Sequence, residues 1–422
     1  MPTDHTTPAN RTLTPDGRLL FVTRCVRLFA YGFLAVVLVL YLREVRLSEG
    51  RVGVLLTLIL LGDTGLSLWL TTAADRLGRR RMLLAGSVLM ALAGVLFALT
   101  DNFWLLLVAG TVGVISPSGN EVGPFLAVEH AALAQSVPGE RRTAVFAWHN
   151  LVGSLATALG SLCGGVASEL LQARGITGAD SYRPVVVAYG VAGLVLAALF
   201  SRLSPAVEVP VAGDPWPPGG TPPSRRFGLH KSRGTVYRLA CLFALDAFGG
   251  GFVMQGVVAY WFHVRFGADP ATLGAIFFGA NVLAACSALA AAWVARRVGL
   301  LNAMVFTHLP SNVLLLLVPL MPSLGLAVTV LLLRFSISQM DVPTRQSYTV
   351  AVVSPDERSA ASGVTGVARS VGSAVSPMLA TALLAVPSLA GVPFFLAGSI
   401  KITYDLLLYR SFAAVRPPEE RG

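Results

Sequence analysis

Charged residues are scarce in this chain of 422 residues: 13% are Asp, Glu, Lys or Arg, whereas 54% are hydrophobic. A soluble protein of this size carries about a quarter of its residues as charged side chains, because its surface must face water. The shortage excludes an ordinary water-soluble enzyme and indicates a chain whose main solvent is lipid.

Signatures of catalysis and of metal binding are also absent from the sequence. There is no Walker motif, nucleophile elbow or zinc-ligand helix. The four cysteines lie in apolar runs and show neither a CxxC pair nor ligand spacing with histidine. We therefore expect no catalytic residue, no metal and no cofactor. The net charge of +10 comes from short loops rather than one basic face, so we expect no nucleic-acid partner.

Apolar runs near the length of about 20 residues that crosses a bilayer recur throughout the chain. They predict an all-α polytopic membrane protein with about twelve transmembrane helices. The predicted spans lie near residues 20–42, 52–73, 82–100, 103–123, 143–168, 184–203, 236–262, 271–294, 300–320, 323–344, 359–384 and 391–411.

Basic residues predict how the spans are oriented. When loops are assigned alternately to the two sides, one side collects twenty of the 32 Lys and Arg residues and the other collects six. By the positive-inside rule, the richer side is cytoplasmic and carries both termini. We expect a multi-pass protein of the cell membrane, with the lipid bilayer as a partner.

Residues 204–234 are rich in Pro and Gly and divide the spans into six and six. Sequence echoes support two related halves: Pro138-Gly139-Glu140-Arg141 recurs as Pro355-Asp356-Glu357-Arg358. Parallel six-helix repeats are typical of one large class of transporters. The predicted parts are an N-terminal tail (1–19), two six-helix bundles (20–203 and 235–412), a cytoplasmic linker between them (204–234) and a C-terminal tail (413–422).

The loop between the second and third spans reads Asp75-Arg76-Leu77-Gly78-Arg79-Arg80-Arg81. It resembles the signature loop of the major facilitator superfamily, although Thr71 stands where that family usually has Gly. Positive-inside anchoring explains the arginines but neither Asp75 nor Gly78. The resemblance implies that Asp75, Arg76, Gly78, Arg79 and Arg80 form a cytoplasmic gate, with Asp75 at a helix N-terminus of the other half.

The fifth span resembles the antiporter motif of drug-exporting members in Gly160, Gly164 and Gly165, and departs from it at Ala156 and Ser161. The same small residues at helical spacing are equally consistent with close packing of two helices.

Polar residues at membrane depth are the candidates for function, because their insertion costs a few kcal/mol each unless they face a cavity or a partner. The proton-coupling candidates are Asp63, Asp246 and Glu121, and the candidates for the solute cavity are Arg334, Arg369, Asn150, Asn281 and His149. Other charged residues have simpler explanations. Asp341 and Arg345 can neutralise each other. Arg24 and Arg27 can snorkel to the cytoplasmic boundary or line an inner vestibule, and Glu129 and His130 are expected to be interfacial.

These observations favour a secondary transporter, a monomer, that moves a small organic solute by proton-coupled efflux. Proton-coupled uptake of a small organic anion is the alternative, since Arg334 and Arg369 suit an anion. A polytopic sensor that keeps the transporter scaffold without transporting is a more distant alternative.

Overall fold

The computed structural model describes residues 14–119, 125–136, 139–208, 229, 231–354 and 357–415. In this part of the chain the regular secondary structure is helical and no β-strand occurs. The prediction of an all-α polytopic protein is confirmed.

The described part of the first half contains eight α-helices, which we group into six passes. In chain order these are α1 (Pro15–Ala35), α2 (Leu38–Glu44), α3 (Glu49–Leu77), α4 (Arg79–Leu99), α5 (Phe103–Val112), α6 (Phe125–Ser136), α7 (Gly139–Ala173) and α8 (Arg183–Phe200). The first pass is bent by 45° between α1 and α2. The fourth pass is divided into α5 and α6.

The second half repeats this order. Its helices are α9 (Arg233–Gly251), α10 (Gln255–Phe266), α11 (Pro270–Val298), α12 (Leu300–Leu317), α13 (Leu324–Ser338), α14 (Asp341–Ala351), α15 (Arg358–Leu384) and α16 (Val392–Phe412). The interrupted passes, α9–α10 and α13–α14, occupy the same places as α1–α2 and α5–α6. The halves are therefore pseudo-symmetric, as predicted. The domain boundaries stay a prediction, because most of the linker lies outside the described residues.

The fourth predicted span, residues 103–123, is wrong as a continuous helix. By length and hydropathy, ten segments of the described chain can cross a membrane, and the bent first pass makes eleven. α5 alone is too short to do so. It ends at Val112, and the backbone enters the left-handed region at Val114 (φ 55°) and Gly119 (φ 70°) before α6 begins. A valine rarely adopts that region, so the break is built into the chain here.

Glycines bring the central helices of each half into backbone contact. A carbon atom added at Gly160 of α7 would lie 2.1 Å from the carbonyl oxygen of Phe29 in α1. One added at Gly372 of α15 would lie 2.3 Å from the carbonyl oxygen of Ala244 in α9. The small-residue stripe of the fifth span therefore packs α7 against α1, and α15 packs against α9 in the same way.

The ends of the described chain lie on one face of the molecule, which we call the terminal face. There the backbone N–H of Ser204, after α8, donates to Asp16 in α1 at 3.0 Å. Tyr348 of α14 donates to the carbonyl of Val415, after α16, at 3.1 Å. We call the other end, where α3 and α11 begin, the opposite face.

The two halves pack closely toward the opposite face. A carbon atom added at Gly165 of α7 would lie 2.1 Å from the carbonyl oxygen of Pro270 in α11. The Tyr260 hydroxyl of α10 donates to Glu49 of α3 at 3.3 Å. Toward the terminal face, by contrast, a carbon atom added at Gly366 of α15 meets nothing within 4 Å. These contacts close the opposite face and leave α15 open on the terminal side.

Gly165→Leu is expected to hold the opposite face open, because its side chain would occupy the space of the α11 backbone. The reporter is Val39→Cys, which is 2% exposed at the wild-type position, in a chain whose four native cysteines are replaced by alanine. A membrane-impermeant thiol reagent added at the opposite face should label this cysteine at least several-fold faster when Gly165→Leu is present.

Gly325→Leu is the matched control for this experiment. Gly325 lies in the first turn of α13, where an added carbon atom meets nothing within 4 Å. It should leave the labelling rate unchanged. Equal labelling in both variants would contradict the assignment of Gly165 to the contact that closes the opposite face.

Candidate functional site

Asp246 of α9 is buried among cationic side chains from three other helices. Its Oδ1 lies 2.6 Å from Nζ of Lys401 in α16. Its Oδ2 lies 3.3 Å from Nη1 of Arg345 in α14 and 3.2 Å from Nη1 of Arg369 in α15. The Asp246 side chain is only 4% exposed. A buried carboxylate is tolerated when it is paired and hydrogen-bonded, so these contacts tie four helices together.

The interruption of the tenth pass places the next acid of the site. α13 ends at Ser338, and α14 begins at Asp341 after a short break. An acidic residue in the first turn of a helix is favoured by the helix dipole. Asp341 also accepts a hydrogen bond from Arg345, one turn later, at 2.7 Å. The predicted neutralisation of this pair is confirmed.

A histidine joins Asp246 to a second carboxylate. Nδ1 of His308 in α12 lies 2.8 Å from Asp405 of α16, and Nε2 lies 3.8 Å from Asp246. Asn312, one turn after His308, donates to the other oxygen of Asp405 at 3.0 Å. Both acids and the histidine are at most 5% exposed.

Arg334 of α13 differs from Arg345, Arg369 and Lys401 because it has no carboxylate partner among the residues that the structure describes. Its guanidinium carbon lies 5.0 Å from the centre of the Phe335 ring. It is 9% exposed, and its Nε has no hydrogen-bond partner. Within the described residues, no carboxylate oxygen lies within 4.0 Å of it.

We call the whole group the Asp246 cluster: Asp246, His308, Arg334, Asp341, Arg345, Arg369, Lys401 and Asp405.

The first half contains a smaller buried ion pair. Arg27 of α1 donates to both oxygens of Glu129 in α6, at 2.6 Å and 2.8 Å, and both side chains are fully buried. Nε2 of His149 in α7 lies 3.8 Å from Glu129. The predicted snorkelling of Arg27 is therefore wrong, whereas the interfacial position of Glu129 stays a prediction. Because α6 begins only at Phe125, Glu129 lies on its second turn and faces α1.

Two predicted amides of the cavity also have partners. Asn150 of α7 accepts a hydrogen bond from Nη2 of Arg24 at 3.1 Å. Asn281 of α11 donates to the carbonyl of Phe277 at 2.8 Å and to Gln255 at 3.5 Å. Gln255 in turn donates to Ser161 of α7 at 3.1 Å. The contact between Gln255 and Ser161 is a neutral hydrogen bond between the two halves.

Asp63 lies at the centre of α3, fourteen residues from each end of that helix. Its side chain is partly exposed and accepts a hydrogen bond from Ser67 at 3.3 Å. The structure does not bring it into the Asp246 cluster. Glu121, the third proton-coupling candidate, lies outside the described residues.

The start of α4 holds a carboxylate from the same half. Gly78, with φ 98°, turns the chain into α4. The backbone N–H groups of Arg79 and Arg80 donate to Glu208 at 2.7 Å and 3.2 Å. A carboxylate at a helix N-terminus is favoured by the unpaired N–H groups there. The side chains of Asp75 and Arg76 lie outside the described residues, so the predicted latch between the halves stays a prediction.

Comparison with known proteins agrees with this architecture. The family model of the Major Facilitator Superfamily matches residues 20–377. The chain belongs to this superfamily. It is 31% identical over 424 residues to the uncharacterized membrane protein YJR124C of Saccharomyces cerevisiae, which covers 95% of this chain and 94% of the relative.

Solved structures of the Major Facilitator Superfamily share the fold at low sequence identity. A bacterial homolog of the human lysosomal transporter Spinster, in an inward-facing and unoccupied conformation, superposes with a TM-score of 0.68 at 15% identity, over 94% of this chain and 95% of that one. A D-xylose–proton symporter gives a TM-score of 0.68 at 15% identity, over 93% and 97%. These likenesses establish the fold.

Sequence reasoning missed three members of the cluster in this superfamily protein: Lys401, Asp405 and His308. A signal was available for the first two, since both lie inside the predicted twelfth span and four residues apart, on one helix face. His308 carried none, because a single histidine in an apolar run has no distinctive pattern. Its role appears only when α12 and α16 are placed side by side.

Asp246→Asn is expected to lower the free energy of unfolding by about 3 to 5 kcal/mol, because it leaves three buried cations without their shared acid. Denaturant unfolding of the purified protein in detergent measures the change. Lys401→Met alone should also destabilise, and the double variant should lose less than the sum of the two.

Asp101→Asn is the matched control, because Asp101 is 55% exposed and pairs with Arg183 at 3.1 Å. A surface pair of this kind is worth at most about 1 kcal/mol. If Asp246→Asn cost no more than Asp101→Asn, Asp246 would not be the centre of the cluster.

Proposed function

We propose that this superfamily member is a secondary transporter that moves a small organic solute by alternating access, driven by protons, and that it exports the solute. The proposal rests on one observation: the halves are in close contact at the opposite face, whereas α15 is open toward the terminal face. Arg369, near the middle of α15, is 34% exposed there. A partly exposed charge at membrane depth is expected to line a wet cavity.

We infer the sidedness from the basic residues. The N-terminus of α4, with Arg79, Arg80 and Arg81, lies on the terminal face. The positive-inside rule puts such a face in the cytoplasm of a cell-membrane protein. The described conformation is then open to the cytoplasm, where a solute destined for export would enter.

Asp63 is the proton carrier in this proposal. A carrier must gain and lose a proton without disrupting the fold. Protonating Asp246 would leave Lys401 and Arg369 without their carboxylate partner, which is costly in a buried site. Asp63 is partly exposed and accepts a hydrogen bond from the neutral Ser67. Protonation of Asp63 is compatible with this hydrogen bond, because a hydroxyl can donate to or accept from a carboxyl group.

The solute site lies between the halves in this proposal. Arg369 and Arg334 approach it from the second half, and Asn150 approaches it from α7. His149, another predicted cavity residue, is instead fully buried beside Glu129. Asn281, hydrogen-bonded to Gln255, is placed at the end nearest the opposite face. The protein needs no second copy for such a site, and we propose that it works as a monomer.

The direction is supported by the fifth span, whose Gly160 and Gly164 match the exporter pattern. Uptake of an organic anion is the second candidate, because the Asp246 cluster holds more cations than acids.

Membrane vesicles of known orientation test function and direction together. Inside-out and right-side-out vesicles containing the protein are supplied with a small-molecule extract of the expression host and an acid-interior or acid-exterior gradient, respectively. Mass spectrometry then identifies solutes that accumulate. Export predicts accumulation in inside-out vesicles only, abolished by an uncoupler. Asp63→Asn should abolish gradient-driven accumulation while leaving exchange of preloaded solute intact.

Ser67→Ala is the matched control, since it removes the hydroxyl that contacts Asp63 and keeps the carboxylate. It should retain gradient-driven accumulation. Accumulation only in right-side-out vesicles would replace export by uptake. Accumulation in neither preparation, with folded protein present, would favour the non-transporting sensor.

A further inference from the structure

The charges of the Asp246 cluster do not balance. Its permanent cations are Arg334, Arg345, Arg369 and Lys401, and its acids are Asp246, Asp341 and Asp405. With every carboxylate ionised, the cluster carries one excess positive charge, and His308 adds another when it is protonated. A buried site tolerates charge when it is paired, so an excess of one sign indicates a missing counter-ion.

Two of the cations are committed to acids of the cluster. Arg345 bonds Asp341 at 2.7 Å, and Lys401 bonds Asp246 at 2.6 Å. Both cations are at most 9% exposed. Neither is therefore free to meet a ligand that enters from the terminal side.

Arg334 is the source of the excess charge. Within the described residues, no carboxylate oxygen approaches Arg334 within 4.0 Å. Its Nε is buried without a hydrogen-bond partner. The Phe335 ring covers the guanidinium but carries no negative charge to neutralise it. A guanidinium so placed attracts an anion.

Arg369 is the cation that a solute can reach. Its side chain is 34% exposed, and its acid, Asp246, is shared with two other cations. If Arg369 turns toward the cavity, Asp246 keeps Lys401 at 2.6 Å. Arg369 can therefore exchange Asp246 for an external carboxylate, sulfonate or phosphate without leaving a bare charge behind. Its guanidinium binds such groups through two parallel hydrogen bonds.

We propose that the transported solute is an organic anion that binds Arg369 and neutralises the excess charge contributed by Arg334. The proposal deepens the proposed function and rests on it. One negative charge suffices when His308 is neutral. The solute takes the place of the fourth acid that the cluster lacks.

The test measures the sign of the cavity's potential and requires no known substrate. Gly366→Cys, one turn from Arg369 and facing open space, is made in a chain whose four native cysteines are replaced by alanine. The purified protein is treated with sulfonatoethyl methanethiosulfonate, an anion, or trimethylammonioethyl methanethiosulfonate, a cation. Each rate is divided by that of the same reagent with free 2-mercaptoethanol. The anion should be favoured by roughly tenfold or more, since the cluster lies in a medium of reduced dielectric constant.

Arg369→Gln and Arg334→Gln should each lower this preference at least several-fold, in protein whose folding is checked by its elution as a single species. Arg296→Gln, on an exposed cation in the last turn of α11, removes an equal charge outside the cluster and should leave the preference unchanged. Gly65→Cys of α3, which also faces open space, should show no preference for the anion.

Equal rates for the two reagents, a preference for the cation, or no reaction with either would overturn the proposal, even if neither arginine variant folds. A preference that survives both Arg369→Gln and Arg334→Gln would also overturn it. Because labelling requires no transport, its outcome is independent of the vesicle result. Solute movement without anion preference would refute only this inference. Anion preference without movement would refute the proposed function, and the Asp246 cluster would then be a binding site for anions rather than a transport site.

Discussion

The second half of the molecule depends on one buried carboxylate. Asp246 is contacted by Lys401, Arg345 and Arg369, which come from three different helices. Moving either partner of such a pair leaves the other charge buried and unpaired, which costs about 3 to 5 kcal/mol. The carboxylate therefore fixes how α9, α14, α15 and α16 are rotated about their axes, and it determines which side chains face the space between the halves.

The first half also joins its first and fourth passes by a buried ion pair, but there the first pass carries the cation and the fourth pass carries the acid. Arg27 and Asp246 lie on corresponding passes, 219 residues apart, and their partners Glu129 and Arg345 lie 216 residues apart. In each half the ion pair joins the first pass to the interrupted fourth pass. An interrupted pass lacks the continuous hydrogen bonding that stiffens a helix. A salt bridge to the first pass holds the second segment of the interrupted pass in place. Either pass can carry the cation, since the pairing alone provides the contact.

The sequence predicts the all-α polytopic fold, the repeat and the family, since those depend on the length of apolar runs and on the Asp75–Arg81 loop. It also places Asp246, Arg334 and Arg369 at membrane depth, because depth follows from position within a span. It does not predict that Lys401 reaches Asp246, or that Glu129 pairs with Arg27. Partners 155 and 102 residues apart are determined by which helices become neighbours, and hydropathy contains no information about helix order.

The distribution of charged contacts explains how such a molecule can change shape. The ion pairs of the Asp246 cluster all lie inside the second half, and that of Arg27 with Glu129 lies inside the first. Gln255 and Ser161, by contrast, join the halves through a neutral hydrogen bond, which contributes about 1 kcal/mol. Separating the halves breaks hydrogen bonds such as this one and that of Tyr260 with Glu49, whereas deforming either half would break buried ion pairs at about 3 to 5 kcal/mol each. In the proposed cycle the halves therefore move as rigid bodies, and the cluster keeps its geometry while access to it changes sides.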